Sequence, residues 1–85
     1  MALEKVIVVD KIEVLEMGQI QVRTATRILE AGAVLSSSFH RHVLAPGDST
    51  ENEDPRVVAI AEATWTPEVI EAYEAMLEAQ QVDMP

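Results

Sequence analysis

Lys11-Ile12-Glu13-Val14-Leu15-Glu16-Met17-Gly18-Gln19-Ile20-Gln21-Val22-Arg23 is two runs rich in β-branched residues, hinged on a glycine. A glycine closing a three-residue loop supplies the left-handed backbone position of a type I turn with a G1 bulge. With Glu16-Met17-Gly18 as the loop, Leu15 faces Gln19, Val14 faces Ile20 and Ile12 faces Val22, so one apolar face results. A two-residue Met17-Gly18 loop would set Val14 against Gln21 and Ile12 against Arg23, mixing apolar with polar. The three-residue register is therefore expected, and it continues through Asp10 with Thr24, Val8 with Thr26 and Val6 with Ile28.

The same signal recurs at Leu29-Glu30-Ala31-Gly32. Treated alike, it pairs Ile28 with Val34, Thr26 with Ser36, Thr24 with Ser38, Val22 with His40 and Ile20 with His42. Two hairpins make a three-stranded antiparallel meander over residues 1–44, with both histidines on its apolar face. The opposite face carries Lys5, Lys11, Arg23, Arg27 and Arg41, together with Phe39 and Val43. Such a face is either solvated or a docking surface for an acidic partner.

After Leu44 the composition changes. Residues 45–55 are polar and turn-forming, without hydrophobic periodicity, and read as an exposed loop. Asp54-Pro55 is a helix start, because the aspartate caps free amides and proline suits the first turn. Val57, Ile60, Ala61 and Thr64, with Trp65, follow helical spacing, and Thr66-Pro67-Glu68 repeats the start signal. Val69, Ile70, Tyr73, Met76, Leu77 and Gln80 then trace one helical face, with Glu71, Glu74 and Glu78 outward. The expected fold class is α+β: a three-stranded β-meander followed by two short α-helices over residues 56–81, all in one small domain spanning residues 1–85.

At 85 residues without cysteine, neither disulfides nor a cysteine-based zinc site supplements a small core. A three-stranded sheet needs cover for its apolar face, from these helices or from another chain. No segment approaches the roughly 20 apolar residues of a membrane span, and the amino terminus lacks a secretory signal pattern. Neither membrane association nor secretion is expected.

The net charge of −9 is unevenly placed. Residues 1–44 hold five basic and five acidic groups, whereas residues 45–85 hold Arg56 against ten acidic groups. Direct binding to nucleic acid is disfavoured, since phosphate contact needs a basic footprint. Outward glutamates make a solvated surface, or an acidic helix that mimics nucleic acid to inhibit a host DNA-binding protein.

His40-Arg41-His42 is the one cluster with site chemistry. Residues two apart on a strand share a side, so both imidazoles face one way, and three chains around an axis would bring six to an ion such as iron. The simpler role is hydrogen bonding of His40 and His42 to the 45–55 loop or the helices. Other templates fail: Ser36-Ser37-Ser38 lacks a nucleophile elbow, Glu62, Glu68 and Glu71 fall on exposed helix surface, and no glycine-rich phosphate loop exists. Neither an enzyme nor a cofactor is expected.

The succession Lys11-Ile12-Glu13-Val14, Gly18-Gln19-Ile20-Gln21-Val22-Arg23-Thr24-Ala25-Thr26, Phe39-His40-Arg41-His42-Val43-Leu44-Ala45-Pro46-Gly47-Asp48 and Trp65-Thr66-Pro67-Glu68-Val69-Ile70 resembles a group of small uncharacterised tailed-bacteriophage proteins. They are encoded near tail-fibre and baseplate genes, and the resemblance runs over residues 4 to 75. It implies a virion structural protein of the tail, tail fibre or baseplate, or else a fibre-assembly chaperone that does not stay in the virion. Its partners would be other tail or fibre proteins, met in the host cytoplasm during assembly, with a homo-oligomer such as a trimer also expected. The motifs are structural and bring no catalytic residues. The residues expected to make contacts are Phe39, Arg41 and Val43 on an edge strand open to another strand, and Trp65, Tyr73, Met76 and Leu77 on the helices. Trp65 and Leu77 also suit the chain's own core.

Overall fold

A computed structural model describes residues 2–82. Strands β1 (Leu3–Val14), β2 (Ile20–Glu30) and β3 (Ala33–Leu44) form one antiparallel sheet in the order β1-β2-β3. Helices α1 (Pro55–Thr64) and α2 (Pro67–Val82) follow. The meander and the two helices are those expected, while Met1 and residues 83–85 of the expected domain lie outside the described residues.

The first turn is the three-residue loop. Leu15 N–H donates to the Gln19 carbonyl at 2.8 Å, Gly18 N–H donates to the Leu15 carbonyl at 2.9 Å, and Gly18 has φ +93°. The register runs from Val14 opposite Ile20 to Lys11 opposite Arg23, and then slips by one residue at Asp10. This β-bulge corrects the expected pairing upstream. Val9 faces Thr24, Val8 faces Ala25, Val6 faces Arg27 and Lys5 faces Ile28, where even-numbered partners had been expected for Val8 and Val6. An unbulged strand would point the Asp10 carboxylate into the apolar face. The bulge turns it toward Arg23 instead and puts Val9 against the core.

The second turn differs from the reading above. Glu30 pairs with Ala33, leaving a two-residue Ala31-Gly32 loop with φ +53° and +82°, the two positive values of a type I′ turn. A second bulge between β2 positions Ile28 and Leu29 moves the register on again. Thr24 thus faces His40, Val22 faces His42 and Ile20 faces Leu44, two places along from the expected partners. A two-residue shift preserves which face each side chain occupies, so the histidines remain on the side of Ile20 and Val22.

The helices start where their capping residues stand. Asp54 accepts the Arg56 N–H at 2.8 Å with Pro55 in the first turn, and the Thr66 hydroxyl accepts the Val69 N–H at 3.3 Å. Trp65 falls at the C-terminal cap of α1. Its indole N–H donates to the Gly18 carbonyl at 2.7 Å and joins the α1–α2 junction to the first hairpin. At Gly18 an added Cβ would stand 2.9 Å from Val69 Cγ1 and 3.2 Å from Pro46, so the absent side chain lets α2 and the 45–55 loop close onto the turn. That loop is accordingly less free than its composition indicates: Pro46 is buried, and Ala45 N–H and the Asp48 carboxylate close a turn at 2.8 Å.

The core is confined to one end of the sheet. Ile20, Val22 and Leu44 pack under Val57 and Ala61 of α1, with Val9, Ile12, Ile60 and Trp65 at the margin. The rest of the sheet is bare. Leu3, Ile7, Val34 and Leu35 are each more than half exposed, and every residue of β3 from Ala33 to Arg41 is exposed. The molecule measures 60 × 31 × 19 Å with a radius of gyration of 17.4 Å. A compact chain of this length would have a radius near about 12 Å.

Candidate functional site

Opposite the face that α1 covers, one row of side chains crosses all three strands. The Asp10 carboxylate, placed by the bulge, receives Arg23 Nε at 2.9 Å and Nη2 at 2.8 Å in a two-pronged ion pair. Arg27 Nη2 lies 3.9 Å from the same carboxylate. The hydrogen bonds from Arg23 hold the Asp10 carboxyl below its usual range, against a smaller opposing effect of burial. On its other side, the Arg23 guanidinium stands over the Phe39 ring at 4.5 Å from the centroid. Arg23 is thereby held from both sides, and Phe39 stays 51 % exposed. Ala25, between Val8 and Phe39 across the ladder, is buried although it belongs to this outer face.

Arg41 stands directly opposite Arg23. Like charges across a ladder are mildly repulsive, and among the described residues Arg41 has no ion-pair partner of its own. Beside it Val43 is 56 % exposed. Phe39, Arg41 and Val43 therefore form one surface: an aromatic ring, an uncompensated positive charge and a branched aliphatic side chain. Lys11, Glu13, Gln21, Arg23 and Arg41 line a shallow depression next to it.

The helical residues divide differently. Trp65 packs against the core and is tied to Gly18. Tyr73 and Met76 are half-buried and Leu77 is 39 % exposed, so the apolar stripe of α2 runs on past the end of the core. The structure thus brings Phe39, Arg41 and Val43 together and sets Tyr73, Met76 and Leu77 apart from them on α2. Glu71, Glu74 and Glu78 are exposed.

His40 and His42 lie with ring centroids 6.2 Å apart, and His42 Nε2 is 3.0 Å from Glu53 Oε1 in the 45–55 loop. For His42 that contact is the loop hydrogen bond named above as the simpler role; no such bond is formed by His40 among the described residues. No group of three or more His, Cys, Asp or Glu side chains is placed to hold a metal ion among the described residues. None of the described helices is long and apolar enough to cross a membrane.

Asp10 and Arg23, which organise the surface, were not singled out by the sequence reading. The available signal was the lone carboxylate within Val6-Ile7-Val8-Val9-Asp10-Lys11-Ile12, which an apolar face does not accept without a partner or a bulge. Comparison with protein families, curated proteins and solved structures finds no match to this chain.

Proposed function

We propose that this chain is a non-catalytic structural protein of a bacteriophage virion, associated with the tail, tail fibre or baseplate, and that it acts by protein–protein contact through its bare sheet. The observation that carries the contact role is surface. The chain exposes 6107 Å². A compact monomer of its mass would expose about 5,000 Å². The excess, on the order of 1,000 Å², is similar to what one partner contributes to a standard interface, about 800 Å². The phage setting rests on the sequence resemblance. Phe39, Arg41 and Val43 give the contact its chemistry: an apolar anchor beside a free guanidinium suits a partner surface with an apolar centre and a carboxylate at its rim.

Quantitative mass spectrometry of purified particles of the encoding phage tests the reading. A fixed integer ratio to a tail protein of known copy number is expected. Absence from particles, with recovery in infected lysate bound to a fibre protein, would replace a virion component by an assembly chaperone. Absence from both would overturn the tail reading.

A further inference from the structure

The two edges of the sheet are guarded unequally. Strand β1 carries Glu4, Lys5, Asp10, Lys11 and Glu13 and is broken by the bulge at Asp10. Charges and bulges of this kind keep an edge from accepting another strand. Strand β3 carries Arg41 as its only Asp, Glu, Lys or Arg and no proline; its own bulge falls at Leu35, near its start, so Ser36 to Leu44 run unbroken, and among the described residues no strand pairs with its outer side. It is the edge left open.

We propose that a second copy of this chain occupies it, β3 against β3 in antiparallel pairing about a two-fold axis through Phe39, giving a six-stranded sheet. The sequence of β3 selects this register among its neighbours. Directly opposite residues must share a face, so the axis passes through a residue position. Centred on Phe39, the pairing sets Phe39 against Phe39, Ser38 against His40, Ser37 against Arg41 and Ser36 against His42, and brings Leu35 to Val43; the bulge at Leu35 ends the match before Val34. No like charges oppose each other, and the aromatic side chains meet at the centre. Centred on Ser38, Arg41 would meet the apolar Leu35; centred on His40, Phe39 would meet Arg41, and Val43 and Leu44 would meet Ser37 and Ser36. Of these three, the Phe39 pairing alone matches apolar with apolar and polar with polar, from Leu35 to Val43.

Closure follows from the edges. The outer strands of the six-stranded sheet are both β1, the guarded edge, so pairing stops at two copies and does not propagate. The dimer draws on surface that the monomer leaves bare, and its two faces carrying Phe39 and Arg41 run on into one another. This inference concerns the backbone edge of β3 and does not depend on the phage setting.

Cysteine cross-linking reads the register, because the chain has no cysteine of its own. Directly opposite strand positions approach disulfide distance. Under mild oxidation a mixture of Ser38→Cys and His40→Cys chains should form mixed disulfide dimers well above the yield of either variant alone. Sedimentation of the unmodified chain should give twice its mass. Phe39→Lys, which places two like charges on the axis, should weaken dimerisation about tenfold or more while circular dichroism stays unchanged. A monomeric or trimeric unmodified chain would overturn the proposal and leave the docking role of the sheet face standing. Cross-linking of Ser38→Cys or His40→Cys to itself in preference to the mixture would overturn the Phe39 axis.

Discussion

Two residues show where local chemistry decides the course of the chain. Ala31 sits at φ +53° in the first position of a type I′ turn, a conformation that asparagine and glycine adopt more readily. Alanine there carries no sign of a two-residue turn, while the Leu-Glu-x-Gly spacing copies the first hairpin, so the second loop was legible as a turn but not in its length. Ala31→Asn should stabilise the fold by about 0.5–1 kcal/mol, seen as a raised urea midpoint with unchanged slope. Asp10 acts through charge. Its carboxyl is held below the ordinary value by the bonds from Arg23, so its contribution to stability is complete above pH 3.8 and is lost as the pH falls further, through the lowered folded-state value. Asp54, lowered by its bonds from Arg56, acts in the same sense and the same window. Asp10→Asn should therefore be less stable than the parent at pH 7, and the gap between their urea midpoints should narrow as the pH falls through that window. An unchanged gap would mean that the ion pair adds nothing to the fold.

Among the elements, the helices were readable from their ends. Asp54-Pro55 and Thr66-Pro67 stand where α1 and α2 start, since a capping side chain and a proline act through bonds within a few residues. What each helix covers was not readable, because an apolar stripe looks the same whether or not anything lies against it. Val57 of α1 is fully buried against β2 and β3, whereas Leu77 of α2 is 39 % exposed. Val57→Ala should cost about 2–3 kcal/mol of stability through the methyl groups removed and the cavity left behind. Leu77→Ala should fall within about 0.5 kcal/mol of the parent, as exposed positions do. Thermal denaturation of the two variants side by side makes the comparison, and equal losses would mean that α2 belongs to the core. The strands followed the same division. Alternation of side chains assigned the faces of β2 and of β3 from Ser36 onward, whereas Val34, expected opposite Ile28, stands opposite Leu29 on the other face; the bulges at Asp10 and Leu35 depend on where a carboxylate and a turn can be accommodated in three dimensions.

At the scale of the whole molecule, the open question is one of closure. The sheet face with Arg23, Arg41 and Phe39 is positive and partly apolar; α2 is acidic, with an apolar stripe. The two would suit each other, yet they stay apart within one chain. Trp65 is pinned to Gly18, the Thr66-Pro67 start leaves no slack, and Val69 and Ile70 close against Gly18 and Gly47. These contacts direct α2 away from the Phe39 face. The elongation is therefore built into the joint between α1 and α2. Small-angle X-ray scattering of Phe39→Lys, diluted until its mass is that of one chain, should give a radius of gyration close to the 17.4 Å of the Cα trace, with a small addition for hydration. A radius near about 12 Å would mean that α2 folds back over its own sheet. In that case the bare face would be internal to the chain, and the surface attributed to partners would not exist.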